Sequence, residues 1–87
     1  NHSDTDAITR ELALFKIGCS IAERTEVLQI TGVFRGSTVD ISEDTITIEA
    51  TGTTDKMNAL ESLLSKFDLK EMVRTGKVVM ARGAEPT

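Results

Sequence analysis

Two runs of helical period, each opening on a capping residue, stand among runs that alternate every second residue. Their order is strand, helix, strand, strand, helix, strand. In a chain of 87 residues this predicts an α+β fold on the ferredoxin-like, split βαββαβ plan. An antiparallel sheet carries two helices on one face, and a short extra strand follows at the C-terminal end.

Each element has its own local cause. From Glu11 to Cys19, residues Ala13, Phe15, Ile17 and Cys19 share one face while Leu12 and Leu14 take the other. A strand apolar on both sides is expected in the middle of its sheet. At Ser20 the period changes, because Ser20-Ile21-Ala22-Glu23 has the form in which a serine caps the third helical amide and a glutamate returns to the cap amide. Val27, Ile30, Val33 and Phe34 then form the buried stripe, and Gly36 is expected at the left-handed position that ends the helix.

Between Ser37 and Thr51 the period is two again. Val39, Ile41, Ile46, Ile48 and Ala50 are expected toward the core, with Thr38, Asp40, Thr45, Thr47 and Glu49 on a polar opposite face. Ser42-Glu43-Asp44 turns the hairpin and Gly52 closes it. Thr53 or Thr54 caps the second helix, whose stripe is Met57, Leu60, Leu63, Leu64 and Phe67. Leu69 to Thr75 and Lys77 to Ala81 are short strands about Gly76, where the last strand can bend, run past the sheet and offer an edge to a second copy. Residues 1–9 are read as a polar leader, 10–82 as the domain and 83–87 as a polar tail. The start at Asn1 rather than methionine suggests a processed or excised chain.

Composition excludes several functions. With 10 Lys+Arg against 14 Asp+Glu, the net charge of −4 argues against a nucleic-acid binder, which needs a basic stripe. An RNA-binding sheet of this plan carries stacking aromatics, whereas this chain has no Trp or Tyr and Phe15 fits the core. The one cysteine rules out an internal disulfide, and no apolar run approaches the ~20 residues that span a bilayer. A cytoplasmic, membrane-free protein is expected.

Catalytic chemistry is hard to place. Cys19 precedes a helix N-terminus, which would activate a thiol, but it also falls on the apolar alternation, and the only histidine, His2, lies in the leader. His2, Asp4 and Asp6 are the only dense set of metal-ligand types, and they read as a solvated linker. Glu43 and Asp44 sit in a turn rather than in the desolvated cleft that acid–base work needs. No catalytic, cofactor or metal site is expected. Arg35, Asp40 and Arg74 remain as charges within apolar segments. Either they face solvent, or they organise the domain or its dimer through an arginine–carboxylate pair.

Four segments taken together suggest a family: Glu11-Leu12-Ala13-Leu14-Phe15-Lys16-Ile17; Val33-Phe34-Arg35-Gly36-Ser37-Thr38-Val39-Asp40-Ile41; Thr47-Ile48-Glu49-Ala50-Thr51-Gly52 with Lys56-Met57; and Phe67-Asp68-Leu69-Lys70-Glu71-Met72-Val73-Arg74-Thr75-Gly76. In order and spacing they resemble the C-terminal domain of the small, regulatory subunit of acetolactate synthase (acetohydroxyacid synthase), over about residues 8 to 83. Departures lie in the leader and at Gly18 to Ala22. The resemblance implies a non-catalytic homodimer that joins the large, thiamine-diphosphate-dependent catalytic subunit. That subunit would be activated and subject to feedback by valine or another branched-chain amino acid in the biosynthesis of valine, leucine and isoleucine. The effector would be bound by an N-terminal ACT domain, absent from this chain, which is therefore expected to be the C-terminal half alone. Arg35, Asp40, Arg74, Thr75 and Gly76 match family motifs and are the interface candidates. The alternative is a free-standing ACT-like amino-acid sensor.

Overall fold

The computed structural model describes residues 7–76 and 78–83. The leader residues His2, Asp4 and Asp6, and residues 84–87 of the tail, lie outside that range. The elements are β1 (Ala7–Gly18), α1 (Ile21–Val33), β2 (Ser37–Ile41), β3 (Thr45–Gly52), α2 (Thr54–Leu64), β4 (Asp68–Arg74) and β5 (Val78–Ala81). Strand order is β2-β3-β1-β4, with β5 also paired to β1, and every pairing is antiparallel. This is the ferredoxin-like arrangement, with β1 and β3 central, as the two-sided pattern of β1 requires.

The core lies between the sheet and the helices. Ala13, Phe15 and Ile17 of β1 and Ile46, Ile48 and Ala50 of β3 meet Val27 of α1 and Met57, Leu60 and Leu64 of α2, all of them buried. Ile30, Phe34, Phe67 and Leu69 pack at its margin. Both helix starts form as their sequences dictate. Glu23 N–H donates to Ser20 Oγ at 3.2 Å and Ser20 N–H to Glu23 Oε1 at 2.9 Å, a complete capping box. Lys56 N–H donates to Thr53 Oγ1 at 3.2 Å, so Thr53 rather than Thr54 is the second cap.

Other expectations are corrected. The left-handed residue after α1 is Arg35, with φ of +57°. Gly36 is required for a different reason: a Cβ there would stand 2.8 Å from the Glu49 carbonyl oxygen, where α1 turns into β2. Val33 (80% exposed) and Leu63 (44%) fall outside the helix stripes. Val39 and Ile41, expected in the core, are exposed, because β2 is an edge strand whose register shifts between Thr38 and Asp40. The bulge also places Thr38 opposite the buried Ile48 and leaves Asp40 opposite Thr47. Arg24 ties the β2–β3 turn to α1 by donating from Nη2 to the carbonyls of Ser42 and Glu43, both at 2.9 Å.

The first strand also starts earlier than its alternation suggested, at Ala7, so Ala7 to Thr9 of the expected leader are strand. They and Arg10 pair with β5, Ala7 opposite Ala81 and Arg10 opposite Val78. Since Ala13 pairs with Arg74 further along, β4 and β5 are successive parts of one line along the same edge of β1. Beyond β3, whose pairing stops at Glu11, β1 and β5 continue as a two-stranded arm.

Candidate functional site

Two features stand out on this frame: a charged cluster at the end of β4, and the sheet face opposite the helices. The cluster begins with a residue out of pattern. Glu11 occupies the helix-facing register of β1 and is 7% exposed, and a buried carboxylate must find partners or remain un-ionised. Arg74 supplies them, its Nε 2.9 Å and its Nη2 2.8 Å from Glu11 Oε1. Thr54, in the first turn of α2, donates its hydroxyl to Glu11 Oε2 at 2.6 Å. The remaining Arg74 nitrogen, Nη1, donates to Asn58 Oδ1 at 2.7 Å and Glu61 Oε1 at 3.1 Å. Glu11 and Glu61 raise the Arg74 pKa above its ordinary value, with the Glu11 hydrogen bond the largest cause. One guanidinium thus joins β1, β4 and α2.

Thr75 and Gly76 follow directly. Thr75 N–H donates to the Leu12 carbonyl at 2.9 Å, and Leu12 N–H donates to Thr75 Oγ1 at 3.0 Å. The threonine side chain thereby replaces a rung of the ladder where β4 passes into β5. Gly76 lies in the open, with no atom near its would-be Cβ. The structure therefore brings Arg74, Thr75 and Gly76 together at the root of the arm. Arg35, at the end of α1, and Asp40, in the outer strand β2, are both exposed and lie elsewhere.

The arginine–carboxylate pair anticipated from the sequence exists, but its acid is Glu11. The signal was available, since Glu11 continues the face of Ala13, Phe15 and Ile17. Thr54, Asn58 and Glu61 left no comparable sign, because only the docking of α2 brings them within reach.

Paired register divides the open face into rows. Asp40, Thr47, Lys16 and Glu71 form one row; Ser37, Glu49, Leu14 and Val73 the next; then Thr51 with Leu12; then Arg10 with Val78; then Ile8 with Met80. The β2–β3 half is polar, as expected. The β1–β4–β5 half is not, because Val73 (56% exposed), Val78 (63%), Met80 (64%) and Ile8 (42%) continue the half-buried Leu12 and Leu14 as one apolar stripe. An ion pair closes one end: Lys16 Nζ lies 2.9 Å from Glu71 Oε1 and holds the Glu71 carboxyl below its ordinary pKa, chiefly through the hydrogen bond. Leu14, Lys16, Thr47, Glu71 and Val73 border a shallow hollow there.

Elsewhere, Cys19 is a core residue at 7% exposure. Among the described residues, no three His, Cys, Asp or Glu side chains are grouped to hold a metal, and no helix is long and apolar enough to cross a membrane.

Fold and surface define a ferredoxin-like domain whose buried charges are spent on joining its own strands and helix, while its broad sheet face stays open for contact. The chain belongs to the acetolactate synthase small-subunit family: the family model described as small subunit of acetolactate synthase matches residues 10–83. The acetolactate synthase small subunit of Aquifex aeolicus (strain VF5) is 54% identical over 81 residues, which are 92% of this chain and 42% of that one. That of Bacillus subtilis (strain 168) is 42% identical over 78 residues, 90% of this chain and 45% of that one. The crystal structure of the small subunit from Thermotoga maritima superposes with a TM-score of 0.88 at 32% identity, covering 98% of this chain and 52% of the other. The chain thus spans about half the length of these relatives and corresponds to their C-terminal domain.

Proposed function

We propose that this chain is a non-catalytic assembly and regulatory domain. In this reading it dimerises, binds the large thiamine-diphosphate-dependent acetolactate synthase subunit in the cytoplasm, raises its activity and helps transmit branched-chain amino-acid feedback. Kinship to the small subunits across residues 10–83 is the observation that carries it. The structure supports it in two ways. Among the described residues, the buried polar side chains of Glu11 and Thr31 are engaged in internal hydrogen bonds. The stripe on the open face, in contrast, is apolar surface of the kind that marks contact sites.

Reconstitution tests the reading. Added to the cognate catalytic subunit, the chain at its full natural length raises acetolactate formation from pyruvate and co-purifies with that subunit, while forming no acetolactate alone. Activity unchanged across a stoichiometric titration, with no co-purification, overturns it. Micromolar binding of valine, leucine or isoleucine to this domain by itself, measured by calorimetry, would favour the amino-acid sensor instead.

A further inference from the structure

β2 forms one open edge of the sheet. It is outermost in the order β2-β3-β1-β4, and all five of its residues are exposed. Natural edges are blunted against chance pairing by charge, proline or a bulge. β2 has a bulge between Thr38 and Asp40 and a single charge, Asp40, which selects partners by sign rather than excluding all of them. Beyond the bulge the ladder is regular. Ser42 N–H donates to the Thr45 carbonyl at 2.9 Å, so the next pair, Ile41 with Ile46, is a non-hydrogen-bonded one, and Ile41 turns its N–H and C=O outward.

The side chains beside this edge differ between its two faces. Ile41 stands opposite the buried Ile46 and so takes the helix side, yet it is 51% exposed. Ile21 and Leu28, two turns apart on one stripe of α1, are 79% and 39% exposed. Arg24 lies between them and reaches the Ser42 and Glu43 carbonyls, which sets that stripe beside the end of β2. The open-face side is acidic. From Ser37 to Thr51 the chain carries Asp40, Glu43, Asp44 and Glu49 and no Lys or Arg. Asp40 and Glu43 make no ion pair among the described residues. Pairing β2 with the β2 of a second copy would bring two acidic flanks together, so this edge suits a basic partner better than a copy of itself.

We propose that β2 accepts an extended, basic segment of the catalytic subunit as an added strand. Successive side chains of a strand alternate between faces. Apolar residues of the segment therefore sit over Ile41, Leu28 and Ile21, and the lysines or arginines between them face Asp40. The outward N–H and C=O of Ile41 supply backbone bonds, as in other recognition by strand addition. An added strand beside five residues covers less than a standard interface, so the edge is one part of the contact between subunits. The inference rests on the assembly reading above and names the edge through which the catalytic subunit is met.

Binding of the chain at its full natural length to the purified catalytic subunit tests it. Asp40→Lys is expected to weaken binding several-fold at low salt and to flatten its salt dependence. Ile41→Pro removes an N–H that β3 does not use, together with the apolar seat, and is expected to weaken binding about tenfold. Circular dichroism is expected to be unchanged in both. A photoreactive p-benzoylphenylalanine in place of Val39 is expected to capture one stretch of the catalytic subunit in which Lys or Arg alternates with apolar residues, as read by mass spectrometry. Wild-type affinity and salt dependence in Asp40→Lys, or capture of a second copy or of an acidic stretch, overturns the proposal. If these outcomes appear while the wild type binds and stimulates the catalytic subunit, this inference falls and the functional reading stands. If the wild type neither binds nor stimulates it, both fall.

Discussion

At the scale of single residues, the Glu11–Arg74 pair has the most to lose. Both side chains are largely withdrawn from water, at 8% and 20% exposure, so Arg74→Ala removes the two guanidinium contacts to the buried Glu11 carboxylate. Removing one member of a buried pair typically costs about 3 kcal/mol, expected here as a fall of roughly 12–24 °C in Tm. Replacing Glu11 and Arg74 together by apolar residues of similar size is expected to cost less than Arg74→Ala alone, because neither charge is then stranded. A thermal double-mutant cycle measures this.

Glu71 gives a second residue-scale test. Its folded pKa is depressed by Lys16, so the stabilisation from this pair is present above the unfolded carboxylate pKa and is lost as pH falls through the lower folded value. Carboxyl NMR titration is expected to find the Glu71 midpoint below the ordinary glutamate value, and Lys16→Met to return it upward. A midpoint unmoved by Lys16→Met would refute the assignment.

At the scale of elements, caps and junctions decide where helices stop and strands turn. Ser20→Ala removes one half of the α1 capping box and is expected to cost about 1 kcal/mol. The two glycines near the other end of α1 should respond in opposite directions. Gly32→Ala has open space around its new Cβ and a helical backbone, so a gain of about 0.5–1 kcal/mol is expected. Gly36→Ala drives a Cβ against the Glu49 carbonyl and Thr31 and is expected to destabilise. Urea denaturation of the two variants checks the contrast. The elements were readable in the sequence because their causes are local: the Ser20–Glu23 box, the Thr53 cap, and the periods of two and 3.6. Val39, Ile41 and Leu63 were misplaced because alternation reports which side a residue takes, and the reach of the covering layer decides whether that side is buried.

At the scale of the whole molecule, the domain is a half-covered sheet. Two helices shield one face, and the other carries a polar flank beside an apolar band. If a second copy covers that band, folding and association are linked, and Tm rises with protein concentration. Val78→Asp is then expected to remove the concentration dependence without changing the limiting Tm at high dilution, which calorimetry over a hundredfold concentration range would show. Among the five sequence-derived interface candidates, Thr75 helps set this surface, since its hydroxyl carries the ladder from β4 into the arm. Arg74 fixes β4 from the opposite side, and Gly76 lies at the root of the arm. Arg35 serves the end of α1 through its backbone, and Asp40 borders the polar flank.

The sequence by itself determined the order of elements, the ferredoxin-like class, the central place of β1 and the family, because each depends on periodicity, caps and motifs a few residues long. Only the tertiary structure decided that Glu11 is the acid for Arg74, 63 residues away in the chain, that β5 prolongs β4 along the edge of β1, and that the open face is apolar on one half. Those outcomes depend on strand register and helix docking. A register is fixed by all the paired residues at once, and no short segment carries it alone.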